Sequence, residues 1–318
     1  MGTELVDPMA SVRAYLAAEK SSNTRRAYAS DWADFSQWCG RVAVLELPAS
    51  PVDVARYLAR LADEGRKVAT IERRVAAIRY VHKSAGHEPP TGAEGVKAVM
   101  RGIRRTKRQA KTQKAPATAD VLSVCIGGLS DQLARLTDGP ERLTALRDRA
   151  LLLIGFAGAL RRSELVALQI SDLEWRPKGL LLHIRSSKTD QDGEGATLPI
   201  PRGGKLRPVA ALEAWLSAAG ITEGPIFREI TRHGRLGTAA LSDRSVARIV
   251  KKVLGAAGFD AKLYSGHSMR AGFVTTSLDH GTDVFKIMRQ TRHVKVDTVK
   301  DYDRRENGFD DHAGGEFL

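Results

Sequence analysis

From residue 8 to about residue 86, apolar residues return every three or four positions and polar residues fill the gaps. That period belongs to helices that bury one face, and it allows this third of the chain little besides a helical bundle. Four helices are expected. The first covers about 9–19, and the second starts after the Ser21, Ser22, Asn23 cluster and turns Tyr28, Trp32, Phe35 and Trp38 toward one face. Ser50 followed by Pro51 opens the third, which runs through Leu61 and closes at Gly65. The fourth runs from Val68 to Ala85 and ends at Gly86. Connections this short imply a compact bundle whose aromatics are core rather than chemistry.

A break at Glu88, Pro89 and Pro90 precedes one further helix, and the stretch from Lys97 to Lys114 then holds eight Lys or Arg and no acidic residue. This stretch is expected to be a basic linker between two domains, with Arg101, Arg104, Arg105, Lys107 and Arg108 touching a phosphate backbone. Beyond Pro116 the pattern changes. Helices are expected near 119–136 and 141–157, followed by two short strands, 180–186 and 196–201, joined across SKTDQDGEG as a hairpin with a charged tip. From Val209 onward the pattern is helical again, near 209–218, 243–256, 267–280, 283–291 and 295–302, with a Gly-rich tail. The expected fold is mainly α with a small antiparallel β-sheet: a helical domain over 1–114 and an α+β domain over 115–318.

Fifty Lys plus Arg against 37 Asp plus Glu leave 318 residues with a net charge of +13, which points to a polyanionic partner. Cys39 and Cys125 stand far apart, so neither a disulfide framework nor a cysteine-based zinc site is expected. The first twenty residues lack the basic and apolar regions of a secretory signal, and the longest apolar run, 151–160, is too short to span a bilayer. A cytoplasmic protein with no membrane partner is expected.

Four local patterns of the second domain carry chemistry when read together: GALRRSELVAL (158–168), SSKTD (186–190), SGHSMR (265–270) and RHVKVDTVKDY (292–302). Arg161 stands at a helix start, where Glu164, three residues on, can hold it by an ion pair, while Arg162 points to the surface. His267 and Arg270 stand three apart at a helix N-terminus, on the side where backbone N–H groups favour an anion. Arg161, His293 and Tyr302 complete a candidate phosphate site. Two guanidiniums suit a phosphodiester because each offers a planar fork and keeps its charge at any working pH. No HExxH, GxxxxGK[ST] or Cys/His zinc pattern occurs, and no cofactor is expected.

The ordered set Arg161, Lys188, His267, Arg270, His293 and Tyr302 resembles the six-residue signature of the tyrosine site-specific recombinases, the phage integrase superfamily. GALRRSEL resembles the family's first-arginine box, SGHSMR its His-x-x-Arg box, and the step from His293 to Tyr302 its nucleophile box. The helical first domain resembles the family's core-binding domain, and SGHSMR with VMRGIRR (99–105) is similar to a bacteriophage branch. The resemblance implies that Tyr302 attacks a scissile phosphate to form a 3′-phosphotyrosyl link, and that Lys188 protonates the leaving 5′-oxygen. His267 and His293 would assist at the nucleophile and at a non-bridging oxygen, with their duties undivided. It also implies duplex DNA carrying specific sites as partner and a nucleoid location. Four protomers would assemble on the DNA and pass their C-terminal segments, here 306–318, to neighbours. The bundle and the catalytic domain would grip opposite sides of the duplex.

Two departures stand out. The family usually has Gly where this chain has Arg292, and the bacteriophage branch has Trp where it has His293. Tyr264, the rival phenol near the motifs, is expected to be packing. The alternatives are a DNA-binding regulator that no longer cuts, a type IB topoisomerase, and a hydrolase of other phosphodiesters.

Overall fold

The computed structural model describes residues 19–107, 113–185, 195–231, 233–300 and 302. Its chain divides into two compact units, Met1–Thr112 and Gln113–Leu318.

In the first unit, α1 (Ser22–Val42) begins where the Ser21 hydroxyl accepts a hydrogen bond from the Thr24 N–H, and α2 (Pro51–Asp63) where Ser50 does the same for Asp53. Helix α3 (Val68–Ser84) follows, and then α4 (Glu94–Thr106). The bundle closes on Phe35, Trp38, Tyr57, Leu58, Leu61, Ile71 and Ile78. Of the α1 aromatics Phe35 and Trp38 are core, with Phe35 set edge-on against Tyr57; Trp32 is half-buried against that core, and Tyr28 lies outside it, half-buried beside Tyr80. The expected helix over 9–19 lies outside the described residues except for its last position.

Helix α4 corrects the expected linker. Val96, Met100 and Ile103 recur at helical spacing and are buried in the bundle core, so the basic stretch is the last helix of the first unit as far as Thr106. Its charges hid a three-residue apolar stripe. Arg101 pairs with Glu94 and Arg104 with Glu72, both on the surface, while Arg105 is exposed and Lys107 half-buried. Arg108 lies outside the described residues.

The second unit is built around α6 (Pro140–Ala157), which is apolar nearly all round its second half, from Ala150 to Phe156. Packed around it are α5 (Ala119–Arg135), the short α7 (Arg162–Ala167), and a three-stranded antiparallel sheet of β1 (Leu173–Arg176), β2 (Gly179–Ile184) and β3 (Ala196–Pro201). Leu180, Leu182 and Ile184 face the core opposite Leu198 and Ile200, which is the alternation expected of a half-buried hairpin. The hairpin tip, with Lys188, lies outside the described residues. Then come α8 (Pro208–Ala219), β4 (Arg228–Ile230), β5 (Leu236–Ala240) and α9 (Asp243–Ala256), followed by α10 (Ser268–Asp279), α11 (Val284–Thr291) and α12 (Val296–Lys300). Trp215 of α8 is fully buried and donates to the Ile226 carbonyl at 2.9 Å.

Three strands appear where none was expected. β1 is four residues with two charges, and it owes its pairing to β2 beside it. β4 and β5 fall between the helices expected near 209–218 and 243–256; they pair with an irregular register and carry no alternating apolar face to mark them. Cys39 and Cys125 are both free and buried, one in each unit's core. Among the described residues no helix is long and apolar enough to cross a membrane.

Candidate active site

Three chain turns of the second unit meet at one place. The first follows α6, where Ala159 takes a positive φ and the chain swings into Arg161, the residue capping α7. The second is Ser265–Ser268: the Ser265 hydroxyl accepts from the His267 N–H and the Ser268 hydroxyl from the Ser265 N–H, setting His267 as the cap of α10. A Cβ on Gly266 would stand 2.2 Å from Cδ of Arg162, so a larger residue there would require the exposed Arg162 side chain to move. The third is the end of α11, where Arg292 takes φ 57°.

Arg270 ties the three together. It is 1% exposed, and its Nη1 donates to the Ala159 carbonyl at 2.6 Å while Nη2 donates to the Thr291 carbonyl. Burial, then the charge of Arg161, lowers its pKa to about 10, which leaves it charged at neutral pH. Arg161 is held by the buried Glu164, whose carboxylate accepts from Arg161 Nη1 at 2.7 Å and from its backbone N–H at 2.8 Å. The same carboxylate accepts from Arg292 Nη2. Arg162 is exposed, as expected.

Tyr302 is packed against a small cluster made by Val274 and Leu278 of α10, Ile287 of α11 and Val299 of α12. Its carbonyl accepts from the Thr275 hydroxyl at 3.3 Å. This seat brings its phenol oxygen 2.7 Å from Nε2 of His267 and stacks its ring on His293, centroid to centroid 5.9 Å.

Both histidines are biased toward the neutral form. The His267 residue is exposed, yet desolvation of its ring, then the charges of Arg270, Arg161 and Arg162, pushes its pKa down. Desolvation, followed by Arg270 and Arg161, takes His293 down to about 4. In its Nδ1–H tautomer a neutral His267 is able to accept a hydrogen bond from the phenol at Nε2. At His293 the Thr291 hydroxyl gives its own hydrogen to the Ile287 carbonyl at 2.8 Å, so it accepts from Nδ1–H at 2.9 Å and Nε2 carries the lone pair.

Five of the six expected residues therefore converge, and Lys188 lies outside the described residues. Tyr264 is buried edge-on against Phe259 and joins no site contact. Reading the sequence missed Thr275, Thr291 and the attachment of Arg292 to Glu164. The departure from glycine at position 292 was the available signal.

The model of the phage integrase family matches residues 129–307, and that of the phage integrase N-terminal SAM-like domain matches residues 13–88. The chain belongs to the phage integrase family. It is a tyrosine recombinase, an enzyme of site-specific DNA recombination. It is 44% identical to an integrase/recombinase XerD homolog of Selenomonas ruminantium, over 94% of this chain and 86% of that one. It is 26% identical to the recombinase Cre of Escherichia phage P1, over 89% and 84%. In fold it is similar to the XerH recombinase solved in a post-cleavage complex with its difH substrate, with a TM-score of 0.61 at 15% identity, covering 87% of this chain and 75% of XerH. Membership sets aside the hydrolase reading.

Proposed function

We propose that this recombinase cuts duplex DNA through Tyr302. The phenol oxygen forms a bond to the scissile phosphorus, the bond from phosphorus to the 5′-oxygen breaks, and a 3′-phosphotyrosyl ester remains. The phenol proton passes to Nε2 of His267, and Lys188 delivers a proton to the leaving oxygen. A 5′-hydroxyl of the partner duplex then reverses the step, so the ester conserves the bond energy and no ATP is consumed. The observation that carries this reading is the 2.7 Å hydrogen bond between Tyr302 and His267 beside Arg161 and Arg270.

Arg161 and Arg270 act on the non-bridging oxygens, whose charge grows in the transition state, so fixed cations stabilise it beyond the ground state. Arg270 is locked by two carbonyls and works mainly as a fixed charge, while Arg161 presents the more accessible fork. His293, whose ring stacks on that of Tyr302, is the second imidazole of the site and orients the phenol. The basic face of α4, with Arg101, Arg104, Arg105 and Lys107, contacts the duplex backbone, joined by Arg108 beyond it. Two recombination sites are brought together by four protomers that exchange the segment 306–318, at the nucleoid.

The test begins with Tyr302→Phe, used to select a tightly bound duplex from a random pool. On that duplex the parent protein is expected to form a covalent adduct and Tyr302→Phe none. An adduct in the Phe variant, or relaxation of supercoiled DNA lacking the selected site as fast as DNA bearing it, overturns this reading.

A further inference from the structure

Arg292 is not used by the reaction above, yet its backbone is held where glycine would sit more easily. Its φ of 57° is a left-handed conformation that a Cβ disfavours, and a residue kept there points to a function of its side chain. That side chain is 12% exposed and runs to Glu164, which is 5% exposed. One carboxylate therefore holds two guanidiniums, those of Arg161 and Arg292. The Nε and Nη1 atoms of Arg292 are buried without a hydrogen-bond partner among the described residues.

We infer that Arg292 is a positioning residue for strand cleavage: it clamps Oε2 of Glu164, the oxygen that also accepts the Arg161 backbone N–H, so that Oε1 is fixed toward the Arg161 guanidinium, and it brings a third guanidinium to the phosphate site. The inference rests on Tyr302 being the nucleophile. Charge counting supports it. Arg161, Arg270 and Arg292 with one Glu164 and two neutral histidines sum to +2, three positive less one negative. The pentacovalent transition state carries two negative charges where the diester carries one, so the third arginine favours the transition state over the bound substrate. A purely local role in ending α11 would be filled as well by glycine, which adopts this backbone without strain.

The experiment uses the full-length protein and the duplex selected above, nicked beside the scissile phosphate so that the adduct accumulates. Arg292→Gly is expected to melt no lower than the parent, to retain the duplex, and to form adduct roughly 10- to 100-fold more slowly, the range for losing a group that orients another. Added guanidinium ion is expected to restore part of that rate, and methylammonium less. Arg292→Lys keeps the charge without the fork and is expected to fall between parent and Gly. Combining Arg292→Gly with Glu164→Gln is expected to slow the reaction no further than the slower single variant. An Arg292→Gly rate within about twofold of the parent, or a loss that guanidinium does not relieve, overturns the inference. An adduct formed by Tyr302→Phe overturns the nucleophile instead, whatever Arg292 does.

Discussion

Arg270 and Arg161 are both arginines of one site, yet their surroundings assign them different costs of removal. Arg270 is buried and satisfies the Ala159 and Thr291 carbonyls, so Arg270→Ala leaves two acceptors without a donor. That is worth about 1–3 kcal/mol each, and the lost charge slows cleavage roughly 10²- to 10³-fold. Arg161 is half-buried, and after Arg161→Ala the Glu164 carboxylate still holds Arg292. Its variant is expected to cleave as poorly as Arg270→Ala while unfolding at nearly the parent's urea midpoint, which chemical denaturation and single-turnover cleavage will check together. With His267 as the proposed proton acceptor, its titration is expected to set the pH dependence. Its pKa lies below the ordinary 6.5, so the neutral, proton-accepting form persists as pH falls past that value. The cleavage rate is therefore expected to hold through pH 6.5 and to decline only below the depressed pKa; a pH–rate profile already halved at 6.5 contradicts the assignment.

Two glycines show what an element decides that its own sequence does not. Gly272 of α10 faces the segment 115–117, where Ala115 N–H donates to the Leu263 carbonyl and Ala117 N–H to that of Ser268, both at 2.8 Å. A Cβ on Gly272 would stand 1.8 Å from the Ala117 oxygen, and the atom in the way is backbone. Gly128 of α5 has nothing within 4 Å of a Cβ. Both lie inside helices, so by propensity either Gly→Ala change stabilises by up to about 1 kcal/mol. Gly128→Ala is expected to do so and to raise the melting temperature. Gly272→Ala is expected to lower it by several degrees, because the segment before α5 must leave its place along α10. The helices themselves were legible: Ser50–Pro51, Gly65 and Gly86 bounded them within two or three residues. The continuation of α4 through the basic stretch to Thr106, and the strands β4 and β5, were not, since their places are decided by partners distant in sequence.

Across the whole molecule three histidines share one trend. His82 of the first unit accepts the Ala49 N–H at Nε2 and donates from Nδ1 to the Ile78 carbonyl; desolvation lowers its pKa, as it does those of His267 and His293. A histidine with a folded pKa below its unfolded 6.5 leaves stability intact above that pH, because both states are then neutral. As pH falls, the unfolded chain takes protons first, and stability is lost progressively down to about 4, where His293 titrates. Urea titrations between pH 7 and 4 are expected to show this decline, less steep in His82→Gln for the first unit. The net charge of +13 adds a second expectation, that duplex affinity falls steeply and linearly in log salt. What the sequence by itself determined is what periodicity and short boxes encode: a helical bundle, a mixed second unit, the buried aromatics, and the order of the reactive side chains. The tertiary structure alone decided that α4 closes the bundle, that Tyr302 reaches His267, and that Arg292 shares Glu164 with Arg161. The reason is distance along the chain. Arg292 and Glu164 stand 128 positions apart, Tyr302 and His267 35, and the partner that holds each residue lies outside any local pattern.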